Sequence, residues 1–277
     1  MKKCDLHIHS SFSDSDSSPE DIFRMAKDKG ISCISLTDHD TVAGLAGGQA
    51  LSSRFGIELI EGIEFSAKKN DAEVHVLGYF IDSQNVKLQN ALRDMKDLRE
   101  TRIMAMADKL NNLGFSLSNE ELKAQIGGAI PTRLHLALCL RKKGVVKTLG
   151  EAFKKFLSPG KPAYLARFKY TIEEAISLIK GCGGISFLAH PHLLPEPSWV
   201  EEIISQGIQG LEVIYPRFSS ARIAYWSDLA DKFNLLKSGG SDAHGSYKKF
   251  TGVGDVTVPY AWVERMKDYL GLSLKKA

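Results

Sequence analysis

Over the first 82 residues the spacing of apolar positions switches repeatedly between short β-branched runs and amphipathic stretches. Ser18-Pro19-Glu20-Asp21 reads as a helix start, with a capping hydroxyl, proline at the first helical position and acids in the first turn. Gly30 closes that helix, and Ile31 to Thr37 reads as the next strand. A second helix is expected at about residues 44–55, followed by strands over Ile57 to Glu64 and Glu73 to Phe80. Strand, helix, strand in this cadence predicts a parallel α/β sheet or barrel.

The pattern changes near Asp82, and residues 85–157 contain no strand signal. Val86, Leu88, Leu92, Met95, Leu98, Ile103, Met106 and Leu110 follow helical spacing through one long helix that Gly114 ends. Further helices are expected after Ser118, from Pro131 to Lys143 and from Leu149 to Leu157, and Ser158-Pro159-Gly160-Lys161-Pro162 is a turn-rich exit. Alternation then resumes, with strands ending at His190, Tyr215 and Gly240. The expected organisation is a discontinuous barrel of residues 1–83 and 162–277, interrupted by a small all-helical domain at 84–161.

Composition narrows the function classes. With 277 residues, 43% hydrophobic and 25% charged, the chain can bury a full core. A net charge of +3 is too slight for a protein that coats nucleic acid, though a local basic surface remains open. No apolar run approaches the roughly 20 residues that span a bilayer. The first residues lead into a strand rather than a signal peptide. Cys4, Cys33, Cys139 and Cys182 lie far apart with no Cys-x-x-Cys pair, so reduced thiols in a cytoplasmic protein are expected.

The chemistry lies in the histidines, six of the eight falling beside carboxylates in short clusters. These are Asp5-Leu6-His7-Ile8-His9 with Asp14, Thr37-Asp38-His39-Asp40, Gly62-Ile63-Glu64, Glu73-Val74-His75, Ala189-His190-Pro191 and Ser241-Asp242-Ala243-His244. Each follows a short apolar run, so each is expected at a strand end, and strand ends are where a barrel assembles a site. His7 and His9 share a face because strand side chains alternate. Nine candidate ligands (His7, His9, Asp14, His39, Glu64, His75, His190, Asp242 and His244) exceed the needs of one ion, so two or three clustered divalent ions are expected, and imidazole with carboxylate but no thiolate suits Mn²⁺, Fe²⁺ or Zn²⁺. Such a site clamps a phosphoryl group and lowers the pKa of bound water, generating hydroxide.

The same motifs, in order and spacing, resemble the PHP (polymerase and histidinol phosphatase) family. The helical stretch after the His75 strand is similar to one branch of it, bacterial phosphoesterases acting on 3′,5′-nucleoside bisphosphates and on the 5′ end of short RNA. That resemblance implies a distorted (β/α)7 TIM-like barrel and a metal-dependent phosphoesterase with Mn²⁺ favoured. It implies a first ion held by His7, His9, Glu64 and Asp242, with Glu64 bridging to a second held by His75 and His190. A third would be held by Asp14, His39 and His244. Asp14, His39, Glu64, Asp242 and His244 are the implied catalytic group. The family often has glycine after the aspartate matching Asp14; here Ser15 follows, which leaves the geometry at the third ion open. Arg133 is the implied phosphate contact at a helix start, where a bidentate guanidinium and a helix N-terminus reinforce each other. His135, His192 and Lys161 are further candidates for substrate binding, and Tyr164, Phe168 and Tyr170 could stack on a base. Asp5 and Asp38 could orient imidazoles or be strand-end polar residues; Asp40 is expected to cap the following helix rather than serve as a ligand. The expected partner is a nucleotide or short oligoribonucleotide, with no membrane and no obligate protein. A histidinol phosphate phosphatase or other small-molecule phosphatase is the alternative enzyme. A nucleic-acid-binding module with structural metal is the non-enzyme alternative, although structural sites usually close with four ligands.

Overall fold

The computed structural model describes residues 2–166 and 169–272. The first strand, β1 (Lys3–Ile8), leads into α1 (Pro19–Asp28), which Ser18 caps as expected in a reciprocal box with Asp21. Then follow β2 (Cys33–Leu36), α2 (Gly48–Phe55), β3 (Glu58–Lys69) and β4 (Ala72–Tyr79). Four helices come next: α3 (Val86–Asn112), α4 (Asn119–Ile126), α5 (Arg133–Lys142) and α6 (Leu149–Ala152), the last running on into a π-helical turn at Phe153–Leu157. Alternation resumes with α7 (Ile172–Gly181), β5 (Ile185–Leu188), α8 (Trp199–Ser205), β6 (Gly210–Ile214), α9 (Ser220–Lys232) and β7 (Leu236–Gly239). The chain then adds a two-residue β8 (Val258–Pro259) and α10 (Tyr260–Tyr269), which the apolar pattern did not single out.

The strands form one nearly closed barrel in the order β7-β6-β5-β4-β3-β2-β1-β8. It is drawn shut between β1 and the segment after β7: Asp242 N–H donates to the His7 carbonyl at 2.7 Å and His9 N–H to the Ala243 carbonyl at 3.0 Å. Gly240 permits this approach, since a Cβ there would stand 2.4 Å from the His7 nitrogen.

The expected parallel cadence breaks at β4. It runs antiparallel to both β3 and β5, and β8 is antiparallel to β1. Only Asn70 and Asp71 connect β3 to β4, whereas a parallel crossover needs a dozen residues or more. The reversal corrects one expectation about the site. His75 stands near the start of β4, opposite Ser66, and so reaches the same barrel end as Glu64 without ending a strand.

Leu77, Tyr79 and Phe187 pack on the strand face that His75 shares, while Phe65, Val76, Leu188 and Leu211 on the opposite face form a core with Ile176 of α7. The first half of α3 belongs to this core through Leu88, Leu92 and Met95. Its second half (Ile103, Met106, Leu110) builds another core with Leu122, Leu136, Leu140 and Leu157. Between the halves, buried Arg99 donates to Asp40 Oδ2 (2.6 Å), Ser66 Oγ (2.9 Å) and the Pro131 carbonyl (3.2 Å). Asp40 therefore caps no helix, contrary to expectation. Its other oxygen accepts from Ser66 N–H at 2.6 Å, and the carboxylate ties the loop behind His39 to α3.

Candidate metal centre

Barrel closure brings six imidazoles and three carboxylates to one end of the sheet. Glu64 lies at the middle. Its Oε2 is 3.4 Å from His7 Nε2, 3.2 Å from His9 Nε2 and 3.2 Å from His39 Nδ1. Its Oε1 is 2.9 Å from His75 Nδ1 and 2.8 Å from His190 Nε2. Asp242 Oδ1 faces His9 at 3.2 Å and His7 at 3.5 Å. Asp14 faces His9 (3.3 Å), His244 (3.5 Å) and His39 (3.6 Å).

These atoms fall into three ligand groups: His7, His9 and Asp242; His39, Glu64 and His75; and His9, Asp14, His39 and His244. His9 and His39 each belong to two groups. Glu64, grouped with His39 and His75, also contacts His7, His9 and His190.

The donor chemistry fits cations. Nδ1 of His9 and His39 and Nε2 of His75 lie within 3.5 Å of carboxylate oxygens, yet none has hydrogen-bond geometry. Five imidazoles converge on Glu64, more than its four lone-pair positions accommodate alongside hydrogen-bonded protons. Burial disfavours charge throughout, but neighbours decide the outcome. The carboxylates around His7 and His75 raise each to about 10, whereas burial takes His39 down to about 3. Burial would also raise Asp14, Glu64 and Asp242, but the surrounding imidazoles, joined at Asp242 by the Lys248 ammonium, outweigh it and hold all three well below the usual carboxylate range.

Above the cluster opens a cavity of about 570 Å³. The ligand residues form its floor, while Arg133, Leu134, Leu149 and Phe153 from the helical segment and Leu193, Tyr215, Tyr247 and Lys248 from the barrel form its walls. Residues 5–180 match the family model described as the PHP domain. The chain belongs to the PHP family. It is 34% identical to a 5′-3′ exoribonuclease of Haemophilus influenzae over 88% of this chain and 90% of that one. It is 32% identical to a 3′,5′-nucleoside bisphosphate phosphatase of Chromobacterium violaceum, over 88% of each. A solved structure from Bifidobacterium adolescentis, considered a metal-dependent phosphoesterase, superposes with a TM-score of 0.88 at 27% identity, covering 96% of this chain and 95% of that one. This PHP chain is a metal-dependent phosphoesterase.

The other sequence-derived residues scatter more widely. Arg133, at the first turn of α5, reaches the cavity and is held by Glu73 Oε2 at 3.1 Å. His135 does not line the cavity. It is buried, and its Nδ1 accepts from Thr132 N–H at 3.0 Å, closing the N-terminus of its own helix. Lys161 is exposed in the turn after Leu157 and lies outside the cavity wall. His192 is packed between Tyr215 and Phe218, with ring centroids at 4.6 and 4.7 Å, and only its neighbour Leu193 reaches the cavity. Tyr164 lies over Arg102 and Arg133, Tyr170 packs on Phe65, and Phe168 lies outside the described residues. Asp38 accepts from Ser10 N–H (2.7 Å) and Ser13 Oγ (2.5 Å), and Asp5 accepts from Ser241 N–H (2.8 Å) and Gly254 N–H (2.8 Å). Both brace the loops that carry ligands instead of touching an imidazole.

Sequence reasoning missed Glu212. It is fully buried on β6, with Oε1 2.9 Å from His7 Nδ1 while Oε2 accepts from His190 N–H at 2.6 Å. It thereby fixes the ring of one ligand and the backbone of another. The available signal was a lone acid inside the apolar run Gly210 to Ile214. Tyr215 and Lys248 were also missed: the Tyr215 hydroxyl donates to Asp242 Oδ2 at 2.5 Å, and the Lys248 ammonium pairs with the same oxygen. His190 and Asp242 adopt positive φ, 29° and 46°, the kind of backbone strain that collects at functional sites.

Proposed function

We propose that this chain hydrolyses nucleotide phosphoesters, removing the 3′-phosphate of 3′,5′-nucleoside bisphosphates and cleaving at the 5′ end of short RNA. The observation that carries the reading is a guanidinium, Arg133, standing on the wall of a cavity whose floor is the His-carboxylate cluster. A substrate with two phosphates can place one on the floor and the other on Arg133. The apolar wall of Leu134, Leu149 and Phe153 suits the nucleoside between them.

His7, His9, Asp14, His39, Glu64, His75, His190, Asp242 and His244 would hold two or three divalent ions, with Mn²⁺ the favoured metal. Bound there, the ions would supply Lewis acidity toward the phosphoryl oxygens and toward water. The protein's own part is electrostatic preorganisation. Glu64, Asp14 and Asp242 stay ionised in a buried setting because imidazoles surround them. Glu212 and Glu73 keep His7, the His190 loop and Arg133 aimed, so little reorganisation is left for the reaction. Residues 84–161 would act as a helical lobe over the cavity, on a barrel of residues 1–83 and 162–277. Four buried, unpaired cysteines accord with a reducing, cytoplasmic setting. No helix among the described residues is long and apolar enough to cross a membrane.

The test is phosphate release from 3′-phosphoadenosine 5′-phosphate, histidinol phosphate and 5′-phosphorylated oligoribonucleotides, with Mn²⁺ restored after chelation. Turnover of the bisphosphate well above histidinol phosphate is expected. Preference for histidinol phosphate would overturn the reading.

A further inference from the structure

A second patch adjoins the cavity through Lys248, which lines its wall. Arg133 reaches the cluster through Glu73, which lies 3.5 Å from His75, whereas Lys248 reaches it through Asp242. Outward from Lys248, the Phe250 ring has the Lys248 ammonium 5.5 Å and the Arg217 guanidinium 4.2 Å from its centroid. Phe250 is 49% exposed, and Leu193 beside the cavity is 60% exposed. Arg222 stands over Phe218 at 5.4 Å. Among the described residues no carboxylate pairs with Arg217, Arg222 or Lys249. Arg217 itself adopts φ 64°, a left-handed conformation uncommon for a non-glycine residue.

A half-exposed aromatic ring thus lies between the unpaired Arg217 and Lys248, whose ammonium is shared with Asp242. It has the chemistry of a single-stranded nucleic-acid platform, with a π-face for a base and cations for the adjoining phosphates. Its position is also specific. A chain that places its 5′-phosphate on Arg133 and its first 3′-phosphate on the cluster can lead its next nucleotide out past Lys248, which contacts Asp242 on one side and the Phe250 ring on the other. We infer that Phe250 and Arg217 form a subsite for the second nucleotide of a short RNA, the base stacking on Phe250 and the following phosphate meeting Arg217. This rests on the nucleotide reading above and extends it: a bisphosphate ends at the cluster and never touches the rim.

Phe250→Ala and Arg217→Ala, both surface changes outside the catalytic machinery, separate the two substrates. Each is expected to lower kcat/KM on a 5′-phosphorylated tri- or tetraribonucleotide about tenfold, the scale of one lost stack or phosphate contact. Hydrolysis of 3′-phosphoadenosine 5′-phosphate should stay within about twofold of wild type, the difference that separates a rim contact from general damage. Phe250→Tyr, which keeps the ring, should restore RNA cleavage. Unchanged RNA cleavage in both alanine variants would overturn the subsite, as would equal losses on both substrates or a wild-type enzyme that hydrolyses the bisphosphate but no RNA. A wild-type enzyme inactive on both would instead sink the nucleotide reading beneath it.

Discussion

Two side chains define what the centre can do. Arg133 is tethered by Glu73 and faces the cavity, so its loss should be felt by a substrate with a second phosphate. A charge-assisted bidentate contact contributes on the order of 2–3 kcal/mol, so Arg133→Ala should lower kcat/KM on a bisphosphate roughly 30- to 150-fold. Hydrolysis of an aryl phosphate should hardly change; equal losses would place Arg133 at the reacting phosphate. Glu212 acts at the other pole, touching two ligands and no cavity wall. Glu212→Gln preserves shape but turns an acceptor into a possible donor at His7 Nδ1. Metal affinity, measured by competition with a chelating dye, should fall about 10- to 100-fold. Unaltered affinity would show that His7 needs no such partner.

At the level of elements, the helical segment is registered to the barrel by charge as well as by packing. Arg99 in mid-α3 joins the loop behind His39, the end of β3 and the residue two before Arg133. Breaking a buried pair leaves an uncompensated charge, so Arg99→Met should cost about 3–5 kcal/mol in urea unfolding. Adding Asp40→Asn to that variant should recover part of it; a double mutant worse than the single would refute the latch. The start of α5 depends on a neutral imidazole. Burial lowers the pKa of His135, and its Nδ1 must stay unprotonated to accept from Thr132 N–H. The folded-state value is below the unfolded one, so this stability is present above about pH 6.5 and is lost as pH falls toward the depressed folded value. His135→Gln keeps an acceptor and does not titrate. Its melting temperature should therefore decline less than wild type between pH 7 and pH 5, and parallel profiles would remove His135 as the cause.

For the molecule as a whole, the cluster couples metal to folding. Its ligands come from β1 and the segment after it, the segments after β2, β5 and β7, and the β3–β4 hairpin, so an ion bound there cross-links the barrel and favours the folded state over the unfolded one. Removing divalent ions with a chelator should lower the melting temperature, and restoring Mn²⁺ at about 100 times its dissociation constant should return about 2.7 kcal/mol. For a chain of this size that is roughly 5–10 °C in a thermal melt. Glu64→Gln should abolish most of the shift, and a melting point indifferent to both chelator and Mn²⁺ would count against a resident metal.

Much of this was legible in the linear chain because it is local. Helix starts at Ser18 and Ser118 are written in adjacent residues and appear as reciprocal caps. The period of apolar positions marked the barrel strands and the long helix after residue 85, and the motifs pointed to a PHP phosphoesterase. Relations across the chain were not legible. A two-residue turn reverses β4, although its composition reads like any other strand. His7 and Glu212 meet across 205 residues of sequence, and Asp40 finds Arg99 across 59. His135 looked like a ligand of substrate until its own helix start claimed it. Side-chain periodicity specifies which face a residue takes, and little more. Only closure of the barrel decides which faces meet, and therefore which carboxylate is shared by five histidines and which merely holds a loop.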